Sequence, residues 1–218
     1  MNETWYAVVL AIAEIAFSLA LLKRLGNAGA KISTLAATGI VWTVWLTTVY
    51  GLLSKGFFSA TGSPQLSFSL AVGLPVFVYC LGIRFYQPLG RAIDALSTRD
   101  LLLLQYWRMV FGVLFFFTDA LPDWFRYIGG LGDIASGIGA RLALRSLQQH
   151  RERRAIINGN LIGILDFAVV LNLGVWVVLQ DHSPDIMFNL IHLYAVPLFI
   201  LLHLYSLKRL GKLEQGND

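Results

Sequence analysis

Residues 4–24 read TWYAVVLAIAEIAFSLALLKR. The apolar run from Trp5 to Leu22 is interrupted only by Glu14 and Ser18, and Lys23 and Arg24 follow it at once. A bilayer core takes about 20 apolar residues in helical form, and this run has that length. A secretory signal carries its positive charge before the apolar stretch and ends at a small-residue cleavage site. Here the start is acidic, with Glu3, and the basic pair comes after. That order describes a retained first helix with its N-terminus outside and its basic end in the cytoplasm.

The same pattern continues along the chain. Segments 4–22, 32–54, 66–83, 101–120, 127–147, 156–180 and 185–207 each approach the length of a span. The expected fold is all-α: one bundle over residues 1–218 with seven transmembrane helices, an outside N-terminus and a cytoplasmic C-terminus. The third span carries Pro75, where a kink is expected. The fifth is Gly-rich and holds Asp133, and its sequence leaves open whether it is a continuous helix or partly irregular. The stretch from Arg84 to Asp100 is too polar to span and should form a short interfacial helix.

The loops test this topology. Lys23, Arg24 and Lys31 fall in the first connection, Arg84, Arg91 and Arg99 in the third, and Arg141, Arg145, Arg151, Arg153 and Arg154 around the fifth. With Lys208, Arg209 and Lys212 in the tail, 14 of the 17 basic residues lie on alternate connections. The opposite face receives only Lys55 and Arg126, and Arg108 falls within a span. This is the positive-inside asymmetry of a multi-pass membrane protein. The outer connections carry the acids Glu3, Asp119, Asp123, Asp181 and Asp185, and Trp5, Tyr6, Trp124, Phe125 and Tyr127 stand where an outer aromatic belt belongs.

Composition agrees. The 218 residues are 56% hydrophobic and 14% charged, against about 25% charged in soluble domains, so lipid is the expected solvent. The net charge of +4 is accounted for by short loops rather than a continuous basic surface, which argues against nucleic acid as a partner. The single cysteine, Cys80, can form neither an internal disulfide nor a thiolate cluster. It is expected to be a small buried apolar residue.

Ionisable side chains inside spans are costly and face the bundle interior. There are five: Glu14, Arg108, Asp133, Asp166 and His192. At about 1.5 Å per residue they lie roughly 12–20 Å from the cytoplasmic edge, so they could converge on one site. Helical phase supports inward faces for Gln105, Arg108, Gly112 and Asp119, for Asn189, His192, Val196 and His203, for Gly159, Gly163 and Asp166, and for Ala11, Glu14 and Ser18. Spans two and three lack ionised residues and are placed at the periphery. Arg108 cannot deprotonate, and Asp133 or Asp166 is its expected partner. At least one acid is then in excess and requires a proton, His192, a cation or a cationic ligand. The candidate ligand or proton site is therefore Glu14, Gln105, Arg108, Asp133, Asp166 and His192. The alternative is a purely structural clasp between helices.

The run from Gly129 to Ala140 contains Gly-x-Gly-x-x-Ala at Gly130, Gly132 and Ala135. No strand precedes it, so a dinucleotide site is not expected. Gly132, Ser136 and Ala140 instead form a ridge of small residues for close helix packing, and Gly159 and Gly163 extend such packing to span six. This run could also let a ligand approach the backbone beside Asp133. His192 and His203 share a face, but His150 and His182 fall outside the spans, so two opposed pairs for haem are not available. There is no His-Glu-x-x-His for zinc, and none of the five lysines lies in a span to bind retinal. The sequence thus identifies no cofactor and no metal.

The segments Gln105-x-x-Arg108-x-x-x-Gly112, Leu121-Pro122, Gly130-x-Gly132-Asp133 and Asn160-x-x-Gly163-x-x-Asp166 resemble a group of uncharacterised bacterial multi-span membrane proteins over roughly residues 101–175. The resemblance implies a bacterial inner-membrane location and carries no activity. The leading expectation is a membrane protein that binds or transports a proton, a cation or a small molecule. A redox protein acting on a lipid-phase quinone, using His192, His203 and Tyr194, is the second. An assembly subunit without a ligand, partnered by its own copies or another membrane protein, is the third.

Overall fold

In an apolar surrounding every backbone N–H and C=O needs an internal partner, and a helix supplies both within one segment. The computed structural model describes residues 3–60, 64–118, 121–149, 151–179 and 189–215, and among them there are helices and turns but no strand. In order these are α1 (Glu3–Asn27), α2 (Ile32–Ser54), the short α3 (Phe57–Ala60), α4 (Pro64–Phe85), α5 (Gln87–Asp94), α6 (Thr98–Gln105), α7 (Arg108–Phe115), α8 (Asp123–Gln148), α9 (Glu152–Leu179), a π-helical turn (Ile191–Ala195) and α10 (Val196–Gln215). Asp119, His150, Asp181, His182 and Asp185, and with them the start of the expected seventh span, lie outside the described residues.

Among the described residues, four helices are long and apolar enough to cross a membrane: Trp5–Asn27, Ile32–Ser54, Glu152–Gly174 and Ile191–Gly211. A fifth follows if Ser69–Phe85 and Gln87–Asp94 count as one broken span. The expected fourth span is two eight-residue helices, α6 and α7, separated at Tyr106 and Trp107. There the bonds Met109 N–Tyr106 O and Val110 N–Trp107 O tighten the path into a 3₁₀ turn. The expected fifth span is not irregular: α8 runs unbroken for 26 residues, because its glycines are held by neighbouring helices on both sides.

Pro75 does not mark the sharp turn in the third segment. It lies within α4, and the chain turns by 100° between α4 and α5, beside Tyr86. Pro88 in the first turn of α5 has no N–H to leave unsatisfied, and Leu89 and Ala92 bury that short helix against the bundle, much as an interfacial helix should lie. The α1–α2 connection closes at Gly29, whose φ of 92° is a left-handed conformation suited to glycine. Ser97 begins α6 with a capping box: Asp100 N donates to Ser97 Oγ at 3.0 Å, and Ser97 N donates to an Asp100 carboxylate oxygen at 3.2 Å.

The core forms around the π-turn and the first half of α10, where residues 190–199 are all buried. The inner face of α1 presents Tyr6, Leu10, Ala13, Phe17, Leu21 and Leu25 to it, and Phe17 stacks on Phe199 at 4.6 Å. A π-turn leaves carbonyls out of register, and Trp45 Nε1 on α2 donates to Leu193 O at 2.7 Å. Outward faces are equally apolar: Ile12, Ile15 and Leu19 on α1, and Leu74, Phe77 and Val78 on α4 are exposed. Helix α2 is mostly exposed, in keeping with a peripheral place. Cys80 is exposed too, a correction to its expected burial: its position on α4 turns it away from the core with Phe77 and Leu81. Tyr6 and Phe125 likewise belong to the core rather than to an outer belt, whereas Trp5, Trp124 and Tyr127 are exposed.

The basic connections meet at one end. Arg24 at the end of α1 pairs with Asp100 at 2.6 Å, Thr98 donates to Glu152 at the start of α9, Lys208 on α10 pairs with Asp94 at 2.8 Å, and Arg209 donates to Leu96 O.

Candidate functional site

The glycines of α8 determine how near its neighbours come. A Cβ on Gly137 would lie 2.1 Å from Met109 Cγ, and one on Gly112 of α7 would lie 2.7 Å from Gly130 O. The backbones of α7 and α8 are thus in contact, which delivers the first residue of α7, Arg108, to the level of Asp133 on α8. On the other side of α8, a Cβ on Gly132 would lie 1.7 Å from Asp166 Oδ1, so the carboxyl of α9 rests directly over that glycine. Gly139 meets Ile162 at 3.0 Å, and Ser136 and Ala140 are buried in the same ridge.

The result is one guanidinium held by two carboxylates. Arg108 is 1% exposed. Its Nε donates to Asp133 Oδ1 at 2.7 Å, and Nη2 reaches the same oxygen at 2.6 Å. Nη2 also donates to Asp166 Oδ2, and Nη1 donates to Gly163 O at 3.1 Å. The ring of Phe167 lies 3.9 Å below the guanidinium carbon, a cation–π contact in a dry surrounding. Sequence reasoning offered Asp133 or Asp166 as the partner; the fold provides both. The space beside Asp133 that could have admitted a ligand is occupied by Asp166 and by Phe116, which packs on Gly130.

A second polar chain adjoins the first. His203 Nδ1 lies 2.8 Å from Asn160 Oδ1, and Asn160 Nδ2 donates to Ser206 Oγ at 2.7 Å and to Ile156 O at 2.7 Å. The amide oxygen accepts, so Nδ1 carries the proton and Nε2 is left with a lone pair that has no hydrogen-bond partner. A Cβ on Gly163 would lie 2.6 Å from His203 Nε2 and 3.0 Å from Arg108 Nη1, so both groups face the same bare Cα. One turn away on α9, a Cβ on Gly159 would lie 2.5 Å from Leu102 Cδ2 and 3.7 Å from Gln105 Oε1. The Gln105 amide is buried and neither of its polar atoms is hydrogen-bonded.

Two expected residues remain. Glu14 is buried on α1, its Oε1 has no hydrogen-bond partner, and it makes no ion pair with Arg108. Ser18 links that part of α1 to the π-turn, donating to Glu14 O and lying 2.6 Å from Tyr194 Oη. His192 packs edge-on against Phe115 at 6.2 Å. Arg108, Asp133 and Asp166 form one cluster, with Gln105 nearby, and Glu14 makes no ion pair with it. The stripe Asn189, His192, Val196 and His203 is buried throughout, but so are its neighbours, and its phase discriminates nothing. His203, named in sequence only on an inward face and for the quinone alternative, and Asn160, named only in a motif, adjoin the cluster. Phe167 carried no sequence signal beyond following Asp166.

Among the described residues no group of three or more His, Cys, Asp or Glu side chains could hold a metal ion. The cluster sets one guanidinium against two carboxylates.

Fold and site define an all-helical protein, several of whose helices are long and apolar enough to cross a membrane, with an Arg–Asp–Asp cluster enclosed between three of them. The chain belongs to the family described as "Domain of unknown function (DUF8737)", whose model matches residues 65–211. That range takes in the whole cluster and the stretch 101–175, and leaves out α1 with Glu14. No curated protein and no solved structure matches the chain.

Proposed function

We propose that this chain is a seven-span inner-membrane protein, with its N-terminus outside, whose Arg108–Asp133–Asp166 cluster binds and exchanges a proton or small cation. The observation that carries the reading is the charge count: one permanent positive charge faces two carboxylates in a buried place. Two ionised acids would leave a net negative charge in an apolar medium, at a cost of several kcal/mol. A proton or a cation on the second acid removes it. His203 Nε2 faces the same glycine as Arg108 Nη1, and Asn160 and Ser206 continue a polar chain from it along α9 and α10.

The seven-span topology is supported by the meeting of the first, third and fifth connections and the tail at one end, since an even number of crossings must separate them. It is also supported by the outer face of α8, where Tyr127, Leu131, Ile138 and Leu142 form an exposed apolar stripe at helical spacing.

The test is infrared difference spectroscopy of protein in lipid, with proton flux measured in vesicles carrying a trapped pH dye. The wild type should show one protonated carboxyl that titrates or responds to cations. Asp133→Asn or Asp166→Asn should remove that band and the flux while insertion is retained. Normal flux in both variants, or two carboxyls ionised throughout without a bound cation, refutes the proposal.

A second reading is a static clasp, favoured by the fact that every guanidinium nitrogen already has an acceptor. It calls for the same loss of stability in the variants, with no titrating carboxyl in the wild type.

A further inference from the structure

The buried face of α1 carries an acid that no counter-charge meets. Glu14 is 3% exposed and stands with Leu10, Ala13 and Phe17 on that face. Its Oε1 has no hydrogen-bond partner, and among the described residues it enters no ion pair. An unpaired carboxylate in such a place keeps its proton rather than bear the loss of water.

Helices α2, α5, α6 and α7 and the π-turn pack on α1. Most of their ionisable side chains are directed elsewhere. On α2, Tyr50 is exposed. On α5, Arg91 donates to Gln87 and Asp94 pairs with Lys208. On α6, Arg99 is exposed and Asp100 pairs with Arg24. Arg108 of α7 is held by two aspartates, and His192 of the π-turn packs on Phe115. On α1 itself, Lys23 and Arg24 lie more than two turns beyond Glu14. Tyr194 of the π-turn is different: its hydroxyl and the Glu14 carboxyl interact electrostatically.

Counting hydrogens gives the direction of each bond around Tyr194. Ser18 Oγ donates to the Glu14 backbone carbonyl at 2.8 Å, and a carbonyl can only accept. A hydroxyl has one hydrogen, and that of Ser18 is committed. In the 2.6 Å contact between Ser18 Oγ and Tyr194 Oη the tyrosine therefore donates. Tyr194 then has no hydrogen left for Glu14, while its oxygen keeps lone pairs that can accept. A carboxylate at Glu14 finds no donor in this chain, whereas a carboxylic acid finds an acceptor.

We propose that Glu14 is a proton-binding site in its own right, neutral in the folded protein, whose carboxyl O–H is directed to Tyr194 in the π-turn. Release of that proton requires the chain to reverse, with Tyr194 turning its hydrogen from Ser18 to the carboxylate. Ser18 thus favours the proton-bound form by occupying the one donor that could serve the ionised form. This site rests on α1 and the π-turn and does not depend on the role of the Arg108 cluster.

Isotope labelling of the glutamate carboxyls reads this site apart from the cluster, whose two acids are aspartates. The chain has four glutamates, Glu3, Glu14, Glu152 and Glu214, and only Glu14 stands within an apolar run. Infrared spectra of the labelled protein in lipid, recorded across a pH titration, give the protonation state. The wild type should show one protonated glutamate at neutral pH. Glu14→Gln, whose amide can still donate to Tyr194, should lose that band. Tyr194→Phe should keep the band but move it to higher frequency, because the O–H loses its acceptor. Ser18→Ala should free the tyrosine hydrogen for the carboxylate, so the proton leaves at lower pH than in the wild type. Four ionised glutamates in the wild type, a band that survives Glu14→Gln, or a titration that Ser18→Ala leaves unmoved would each overturn the proposal.

Discussion

Substituting Gly132 by alanine tests the close approach of α8 and α9 with a single methyl group. The new Cβ would stand 1.7 Å from Asp166 Oδ1, and contacts below 3.0 Å are essentially never tolerated, so the carboxyl must withdraw. The three nearest atoms all belong to the Asp166 carboxyl. Withdrawal breaks a charge-assisted hydrogen bond to Arg108, worth about 1.5–3 kcal/mol, and the crowding adds about 1–3 kcal/mol. We expect a loss of about 2.5–6 kcal/mol in all. In an Asp166→Ala background the obstructing atoms are gone, and glycine to alanine within a helix then stabilises by about 0.5–1 kcal/mol. The same methyl should therefore change sign. Equilibrium unfolding in detergent micelles of the four proteins of this double-mutant cycle gives the coupling directly. Equal penalties in both backgrounds would refute the reasoning, because Gly132 would then be acting on something other than Asp166.

Arg108→Met should cost about 3–5 kcal/mol by leaving two buried acids uncompensated, and adding Asp133→Asn and Asp166→Asn should recover much of it in the same unfolding assay. Trp45→Phe keeps the ring and removes the donor to Leu193 O, so it should cost about 1 kcal/mol and speed hydrogen exchange around the π-turn. At the basic end, burial alone would raise the Asp100 carboxyl, but donation from Ser97 and from Arg24 outweighs it and holds the carboxyl below its ordinary value. A depressed folded value stabilises fully above the unfolded value of about 3.9 and is lost as pH falls through the folded one. This half-exposed pair should thus contribute only about 0.2–1 kcal/mol, lost below about pH 4, and Asp100→Asn should flatten that part of the stability profile. Cys80 should react with a lipid-soluble maleimide faster than with a charged one, since its exposed surroundings on α4 are apolar.

The helical class and the presence of helices long and apolar enough to cross a membrane were readable because they rest on sums over many residues: the shortage of charge and the length of the apolar runs. Boundaries of α1, α2 and α9 follow closely for the same reason. The interruption at Tyr106–Trp107 was not readable, since both residues keep right-handed helical angles and the sequence there contains no glycine or proline. The glycines of α8 left its continuity open, and each lies against a neighbour that only tertiary structure supplies. Within the site, the surplus of acid over Arg108 could be counted from sequence. Which acids share the arginine could not, because that depends on Gly132 and Gly163 letting α9 settle onto α8 and His203. Depth along the bilayer fixes one coordinate only, and says nothing of which helices bring their side chains into contact.

The claim on which the account turns is that both aspartates hold one guanidinium. Solid-state NMR of protein in lipid bilayers, with the arginine side-chain nitrogens and the aspartate carboxyl carbons labelled, measures it through nitrogen–carbon distances assigned with Asp133→Asn and Asp166→Asn. The account predicts two short contacts from Arg108 in the wild type and one in each variant. A wild-type spectrum in which Arg108 approaches a single carboxyl, or none, would contradict it.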